Sequence, residues 1–511
     1  MRALLVSCPR NTRYFAAITL AFLIAFGVLH GAAVAAEPTP KEAPAPAEQK
    51  GSVVRVNSTN QAYDFFRPWS KEAPFSRRGL GVLINAGHIL VTAELVANSN
   101  YIELERADGG EKTTAIIQVI DYEANLATLQ STDPKFLEGM QPLQTTTDVK
   151  TGDELSVLQL ESNGTPVSTR ALVTTVEVGK YALEDSGYLM FRLSCPLQFR
   201  ENSFTLPIVK GNQLAGFLMR YDSRSQTIDA ISSPVIEHFL VESQRNPYKG
   251  FPRAGLGFSP TRDPQLRHYL KLQDADGGVY VNQVDQSGPA AKAGIKEGDV
   301  LVAIDDKQVD PDGNYLHPVY GKLSITHLTT TEAYSGQSVK MTVIRNGDRQ
   351  PMNVELFRRP VEDYAIEPYT IGKHPRYFIL GGLVFQELTR QYLREWGANW
   401  LKDAPQRLVY YDRFQSDLFP EKRKIVFLTQ ILPTEDTVGY EQLSNLVVTR
   451  LNGRAILSLD DFAEAAKSPV GGYHKIEFEE DPHEIYLDAK QVEEDSAQLQ
   501  KTYSIPALRH L

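Results

Sequence analysis

The stretch that most constrains this fold lies at residues 277–309, GGVYVNQVDQSGPAAKAGIKEGDVLVAIDDKQV. Alternating valines open it as a strand. Pro289 then stands where a short helix begins, because the first position of a helix needs no backbone N–H. Gly294 can end that helix in the left-handed conformation that glycine adopts without strain. The apolar run Val300–Ile304 follows. The stretch therefore predicts a strand, a short helix and a second strand in close succession.

Composition narrows the class of protein. The chain has 511 residues, 42% hydrophobic and 23% charged, which suggests about three or four globular domains. The net charge is -10, and an acidic chain without a basic cluster argues against nucleic-acid binding. Cys8 and Cys195 are the two cysteines, so no disulfide framework is expected. Because the sequence has no glycine-rich phosphate loop or histidine cluster, we expect no cofactor and no metal.

The first residues have the pattern of a targeting segment. Three arginines precede an apolar run at residues 15–29, and GAAVAAEP follows it. The run is short for a spanning helix, and the small residues fit a cleavage site. We expect a signal peptide at residues 1–36, with an uncleaved anchor as the alternative, and a disordered linker at 37–51 that is rich in proline and alanine. A periplasmic or secreted protein without a stable membrane span follows from this interpretation.

Short β-rich runs separated by turn signals fill the next part of the chain, for example SVVRV, HILVTAELV and ALVTTVEV. Long amphipathic helices are missing from this pattern, which favours an all-β barrel or sandwich. Its runs GLGV and ILVT resemble the chymotrypsin-like barrel of HtrA/Deg proteases, and RPW in the loop before them resembles the plant-type Deg proteins. The stretch at residues 277–309 likewise resembles a PDZ domain of that family, through G-V-x-V, P-A-x-x-A-G-I and G-D-V-L-x-x-I-D.

The resemblance implies a mainly β fold: a chymotrypsin-like double β-barrel followed by two PDZ-like α+β domains. The implied boundaries are a trypsin-like domain at 52–245, a first PDZ domain at 251–360, a second PDZ-like domain at 371–490 and a C-terminal tail at 491–511.

The catalytic positions of the family can be transferred residue by residue. The family's T-N-x-H-V corresponds to TAELV here, so Leu95 replaces the histidine. Its D-x-x-x-D-L-A-x-L corresponds to DYEANLATL, so Asn125 replaces the aspartate. Its G-N-S-G-G corresponds to ENSFT, where only Ser203 remains, and Glu201 stands where the family has glycine.

These replacements predict a proteolytically inactive barrel. A serine hydroxyl is a weak nucleophile without a hydrogen-bonded base, and Leu95 accepts no proton. Glu201 would place a negative charge beside the oxyanion. His88 and Glu94 are the alternative bases in the sequence, on a strand and in a turn respectively. An active serine endopeptidase that uses Ser203 therefore stays open as an alternative.

The first PDZ domain carries the predicted binding residues. The run AGLGF resembles the carboxylate-binding loop of PDZ domains, which assigns peptide binding to Gly255, Leu256, Gly257 and Phe258. A peptide would add to the following strand, against a helix expected near residues 324–333. In the second domain, FILGGLVF at 378–385 stands in the corresponding place. Because it lacks the A-G-I-x-x-G-D core, we expect a role in assembly there.

Three functions follow from the sequence. The leading interpretation is a secreted pseudoprotease that binds peptide or protein C-termini, or misfolded proteins, as a scaffold, chaperone or regulator. The resemblance also implies a homo-oligomer, a trimer or a multiple of one, or a hetero-oligomer with an active relative. The alternatives are an active serine endopeptidase of periplasmic protein quality control and a structural envelope protein whose PDZ grooves are unused.

Overall fold

A computed structural model describes residues 51–511, apart from 86, 108–109, 184–186, 200–203, 274 and 420–422. The predicted signal peptide and Ser203 lie outside the described residues. Within the described part, no helix is both long and apolar enough to cross a membrane.

The first barrel consists of six strands and one short helix. Its strands close in the order β1-β2-β3-β6-β5-β4, and every neighbouring pair is antiparallel. Alternate residues of β1, such as Val54 and Val56, are fully buried in the interior, as the period of two in a strand requires. The elements are β1 Val53–Asn60, β2 Phe75–Asn85, β3 His88–Val91, α1 Ala93–Val96, β4 Ser99–Arg106, β5 Lys112–Asp121 and β6 Leu126–Ser131.

A second barrel follows. Six of its strands close in the order β11-β8-β9-β10-β13-β12, because β11 also pairs with β12, and β7 joins β12 in parallel. Cys195 is fully buried in its core, and burial raises the pKa of this thiol to about 11. The elements are β7 Gln144–Thr145, β8 Glu154–Leu160, β9 Pro166–Lys180, β10 Gly187–Ser194, β11 Pro207–Lys210, β12 Gln213–Asp222, β13 Thr227–Ser232 and α2 Ser233–Glu242.

The third part of the chain, here called the first PDZ unit, has a sheet in the order β14-β15-β16-β20-β21. The expected helix at 324–333 is only one turn long. Hydroxyls of Thr329 and Thr330 bond back to Thr326 O at 3.2 and 2.8 Å, which competes with helix continuation. The elements are β14 Leu256–Pro260, α3 Pro264–Tyr269, β15 Val279–Val284, α4 Pro289–Lys292, β16 Val300–Ile304, β17 Lys307–Gln308, β18 Asn314–His317, β19 Gly321–Ser324, α5 Thr326–Thr329, β20 Ser338–Arg345 and β21 Asp348–Glu355.

The last part, here called the second PDZ unit, has a sheet in the order β28-β27-β25-β24-β23-β22-β29. Ser458 caps α9, accepting from Asp461 N at 3.2 Å. The elements are β22 Tyr377–Leu380, β23 Leu383–Glu387, α6 Arg390–Arg394, α7 Trp400–Asp403, α8 Gln406–Leu418, β24 Val426–Ile431, β25 Leu446–Leu451, β26 Arg454–Ala455, α9 Leu459–Ala466, β27 Tyr473–Phe478, β28 Glu484–Asp488, α10 Ala489–Tyr503 and β29 Arg509–His510.

The fold prediction is confirmed: two six-stranded barrels of the chymotrypsin type precede two PDZ domains. One detail of the second PDZ unit is different. The sequence places a binding loop and one strand at residues 378–385, whereas the structure folds them as the hairpin β22–β23. Gly381 and Gly382, with φ of 55° and 89°, make its turn possible, since such angles favour glycine.

Candidate functional site

Leu95 and Asn125, at the positions aligned with the catalytic histidine and aspartate, lie close together, because Asn125 bonds to Glu94 next to Leu95. Leu95 lies on α1 and is fully buried. A Cβ atom placed on Gly79 would lie 3.2 Å from Leu95 Cδ2 and 3.0 Å from Thr205 Cβ, so these three residues share one contact point. Thr205 is two positions beyond Ser203, which itself lies outside the described residues. At the position aligned with the histidine, this contact point therefore presents an aliphatic side chain.

Asn125 occupies a turn in the left-handed conformation, with φ of 55°, which asparagine tolerates better than most residues. Both ends of its amide bond to α1: Glu94 N donates to Asn125 Oδ1 at 2.9 Å, and Asn125 Nδ2 donates to Glu94 Oε2 at 3.2 Å. Asn125 thus fixes the β5–β6 loop to α1, the helix that carries Leu95. The Glu94 carboxylate takes part in the same contact.

Other residues of this region were not anticipated from the sequence. Arg77 donates to Glu94 O and lies over the Phe204 ring, with its guanidinium carbon 4.7 Å from the centroid. Burial lowers the pKa of Arg77. The hydroxyls of Thr92 and Thr205 share a hydrogen bond, with 2.6 Å between the two Oγ1 atoms. No sequence motif signals these contacts, because they join residues more than 100 positions apart or depend on a neighbouring strand.

His88, the alternative base, makes its side-chain contact with Asn85. Its Nδ1 lies 3.0 Å from Asn85 Oδ1, across the turn between β2 and β3. The side chain is partly exposed at the start of β3, opposite Gln130 of β6. Both contacts hold His88 at the end of the β2–β3 hairpin.

The first PDZ unit has a groove of about 460 Å³ beside β14. The predicted residues Gly255, Leu256, Gly257 and Phe258 all line it. β14 is the end strand of its sheet within the described part of the chain, so its outer edge is available for pairing. An apolar floor and a threonine wall complete the groove; they consist of Leu301, Ile304, Ile325, Met341, Thr326, Thr329 and Thr330.

The loop before β14 has the geometry of a carboxylate receptor. Ala254 and Gly255 have backbone N–H groups with no acceptor among the described residues, whereas Asp285 N and Ala290 N bond to the carbonyl oxygens of this loop at 2.9 Å. Gly255 has φ of 71°, and a Cβ there would lie 3.1 Å from Gly288 Cα. Two adjacent unpaired N–H groups at the head of a groove can bind a peptide carboxylate.

A buried ionic network fixes the first PDZ unit to the barrel loop that carries Asn125. Glu123 Oε2 accepts from Arg253 Nη2 at 2.7 Å, and Glu123 Oε1 lies 3.1 Å from Arg358 Nη2. Arg358 Nη1 donates to Asp121 Oδ2 at 2.6 Å. Burial alone would raise the pKa of Glu123, but the two guanidinium groups hold this pKa at about 2. Arg253 also lines the peptide groove, so the network adjoins the predicted binding site.

Among its described residues, the second PDZ unit has no open strand edge equivalent to that of β14. β23 precedes β24 and β25 as β14 precedes β15 and β16, which makes β23 the counterpart of β14. Its outer edge is paired antiparallel with β22. Phe378 of β22 packs on Phe462 of α9, with ring centroids 5.4 Å apart. β22 therefore lies between β23 and α9, whereas the first PDZ unit has an open groove between β14 and α5.

Comparison with known proteins agrees with this architecture. PDZ family models match residues 255–356 and 366–510. The chain is 27% identical over 465 residues to Protease Do-like 2, chloroplastic, of Arabidopsis thaliana, covering 90% of this chain and 74% of that protein. It is 26% identical over 296 residues to the periplasmic serine endoprotease DegP of Salmonella typhimurium, covering 56% and 58%. The solved HtrA-type protease AlgW with decapeptide aligns with a TM-score of 0.47 at 19% identity, over 61% of this chain and 97% of that one. In sequence the chain is thus similar to Do-like and DegP proteases, and two of its regions match PDZ domain models.

Proposed function

We propose that this chain is a proteolytically inactive HtrA/Deg protein that binds the C-terminal ends of peptides or unfolded chains through its first PDZ unit. The observation that carries the proposal is the burial of Leu95 against Gly79 and next to Thr205, at the position aligned with the catalytic histidine. An aliphatic side chain at this place cannot accept the proton of a serine hydroxyl.

The contacts around Leu95 also argue against a substitute base. Glu94 is the nearest carboxylate in sequence, and its side chain accepts from Asn125 Nδ2. His88 is held by Asn85 on another turn. Removing the base from a serine protease costs roughly 10⁴–10⁶ in rate. Ser203 would therefore have at most a residual activity.

Peptide binding is supported by the groove of the first PDZ unit. Its strand edge can pair with an extended peptide, and the N–H groups of Ala254 and Gly255 can donate to the terminal carboxylate. The floor contributed by Ile304, Ile325 and Met341 can hold an apolar last side chain. A ligand with these features is the C-terminus of a protein, which is also exposed when a protein unfolds.

Two further parts of the proposal come from the sequence and the relatives. We place the mature protein in the periplasm or outside the cell, because residues 1–36 have the pattern of a signal peptide. We also propose a homo-oligomer, or a hetero-oligomer with an active relative, which it would regulate. The named relatives include chloroplastic and periplasmic proteins, so fractionation of cells that express the full chain is the direct test of location.

Hydrolysis of unfolded casein tests the central claim. The chain from residue 37 onward is compared with its Ser203→Ala variant and with an active HtrA protease. We expect both forms of this chain to be equally inactive while the control cleaves. Cleavage by the wild type that is lost in Ser203→Ala would overturn the proposal. It would show that another residue activates Ser203.

Peptide affinity is the second test. A fluorescein-labelled peptide ending in Ala-Leu with a free carboxylate should bind the wild-type chain, and the same peptide with a C-terminal amide should bind at least tenfold more weakly. The Thr326→Trp variant, which fills the groove beside α5, should lose most of this binding. Equal affinity for the acid and the amide would contradict the assignment of the carboxylate loop.

A further inference from the structure

The second PDZ unit has a separate groove of about 590 Å³ on the outer side of β22. It lies between this strand, the end of α9 and the first turn of α10. Aliphatic and aromatic side chains form its floor: Phe378, Leu380, Ala463, Ala466, Pro469, Ala489 and Val492. The groove is distinct from the site of the first PDZ unit, because none of its residues lines that site.

A buried histidine, His474, lines this groove. His474 is only 5% exposed and is among the lining residues. Lys475 N donates to Asn452 Oδ1 at 2.9 Å, which fixes the amide so that Asn452 Nδ2 faces His474 Nδ1 at 3.3 Å. Nδ1 is then the acceptor, and the neutral imidazole carries its proton on Nε2. This Nε2–H has no partner among the described residues.

The rim of the groove is basic, although the chain as a whole has a net charge of -10. Lys467, Lys490 and Arg509 line it, with Glu493 as the single carboxylate. The two lysines form exposed ion pairs within their own helical segments, and such pairs are weak and easily exchanged. Arg509 has no ion-pair partner in the described part of the chain. An anionic group therefore fits this rim.

The edge of the sheet adds a second recognition element. β29 is the last strand of the sheet, and Arg509 stands opposite Phe378 of β22. Ile379 N donates to Leu508 O at 2.7 Å. The alternation of an antiparallel ladder then turns the N–H and C=O of Arg509 away from β22. An extended backbone can pair with these outward groups.

We propose that this groove binds the end of an extended peptide, with an apolar last side chain on the Phe378 floor and its carboxylate at His474, Lys490 and Arg509. The peptide pairs with the outer edge of β29. Together, β22 and β29 have thus displaced the ligand site outward by two strands instead of abolishing it. The combination of a free backbone edge, an apolar floor and a basic rim favours a peptide, because a fatty acid would use only the last two.

The experiment measures fluorescence anisotropy of fluorescein-labelled Gly-Ser-Gly-Ala-Ala-Leu, with a free carboxylate, on the chain from residue 37 onward. All measurements use the Thr326→Trp variant, in which the first groove is filled. Any remaining anisotropy change then comes from peptide bound at the second groove. We expect residual binding that weakens at least tenfold in Ala466→Trp and three- to tenfold in Arg509→Gln. Arg454→Gln, an exposed arginine outside the groove, is the matched control and should leave the affinity unchanged.

Two outcomes overturn the proposal: no peptide binding in the Thr326→Trp background, or equal binding of the amidated peptide. If the peptide does not bind but dodecanoate does, measured by isothermal titration calorimetry, the groove belongs to a fatty acid. Circular dichroism of each variant controls for misfolding, and the exposed Arg509→Gln keeps the test valid if Ala466→Trp does not fold. Binding to the first groove is measured separately in the Ala466→Trp single variant, so failure at one site is distinguishable from failure at the other.

Discussion

The two PDZ units share a plan and differ in what covers one strand edge. In the first unit, β14 ends the sheet and borders an open groove. In the second, β22 pairs with the equivalent strand β23, and Phe378 fills the space against α9. The difference teaches that the order of elements does not decide whether a PDZ fold has its usual ligand site, since one added strand can act as a permanent occupant.

The two units also differ in how they are held against the barrels. The first is joined through buried ions, Glu123 with Arg253 and Asp121 with Arg358. The second receives the β1–β2 loop of the first barrel: Phe65 lies in its apolar core, and Phe66 meets Trp396 with ring centroids 5.0 Å apart. The first attachment therefore depends on ionisation, whereas the second depends mainly on apolar burial.

Removal of the Phe462 side chain from α9 should distinguish the two PDZ units most clearly. Phe462 is fully buried between Phe378 and Phe385. We expect Phe462→Ala to lower the free energy of unfolding by about 3–5 kcal/mol, because it leaves a cavity in the second unit. Thr326→Ala, at the groove wall of the first unit, should change it by less than about 0.5 kcal/mol. Urea titration followed by fluorescence measures both, and similar values for the two variants would contradict the filled groove.

Removal of the Glu123 carboxylate should test the ionic attachment. Glu123→Gln removes the buried carboxylate that pairs with Arg253 and Arg358, and we expect a loss of about 3–5 kcal/mol at pH 7. The folded-state pKa of Glu123, about 2, lies below its usual value of 4.5. Its contribution to stability is therefore complete above pH 4.5 and is lost as the pH falls toward 2.

Thermal unfolding of wild type and Glu123→Gln at pH 7 and pH 3 measures this pH dependence. The difference between the two proteins should shrink at pH 3, because the wild type loses part of the same contribution. Glu111→Gln, an exposed residue of the same barrel, is the control. A difference that stays constant with pH would show that the glutamate acts through packing rather than charge.

A matched pair of glycines tests the carboxylate loop. Gly255 and Gly382 precede the two equivalent strands, and both have positive φ, 71° and 89°. Alanine at Gly255 should cost about 1–2 kcal/mol of stability, and alanine at Gly382 more, because a Cβ there would lie 2.6 Å from Leu432 O. Only Gly255→Ala should weaken binding of the Ala-Leu peptide to the first groove, by about tenfold. Measured by anisotropy, an equal loss in Gly382→Ala would show that the two units act together on one peptide.

The smallest expected effect concerns Ser458, the N-cap of α9. Ser458 caps α9 by accepting from Asp461 N, whereas α5 begins without a side-chain cap. Ser458→Ala should lower stability by about 1 kcal/mol, and Ser468→Ala beyond the helix should have no effect. A shift below the error of thermal unfolding would mean that packing of Phe462 alone fixes α9.

Much of the fold followed from local patterns. The strand at Val279–Val284, the helix at Pro289 and the strand Val300–Ile304 occur where alternation, proline and glycine predicted them. The groove residues Gly255 to Phe258 line one cavity, as the loop motif indicated. The role of β22 was missed, because FILGGLVF has the same apolar pattern whether it forms one strand or a tight hairpin. The Asp121 and Glu123 network was also missed, since its arginines are over 100 residues away.

The sequence by itself determined the mainly β architecture and the residue types at the aligned catalytic positions, because strand periodicity and motif spacing are local properties of the chain. Which strand edge is open, which carboxylates are paired and which groove His474 lines follow only from the three-dimensional fold. These depend on contacts between residues distant in sequence, where burial turns an ordinary side chain into part of a site.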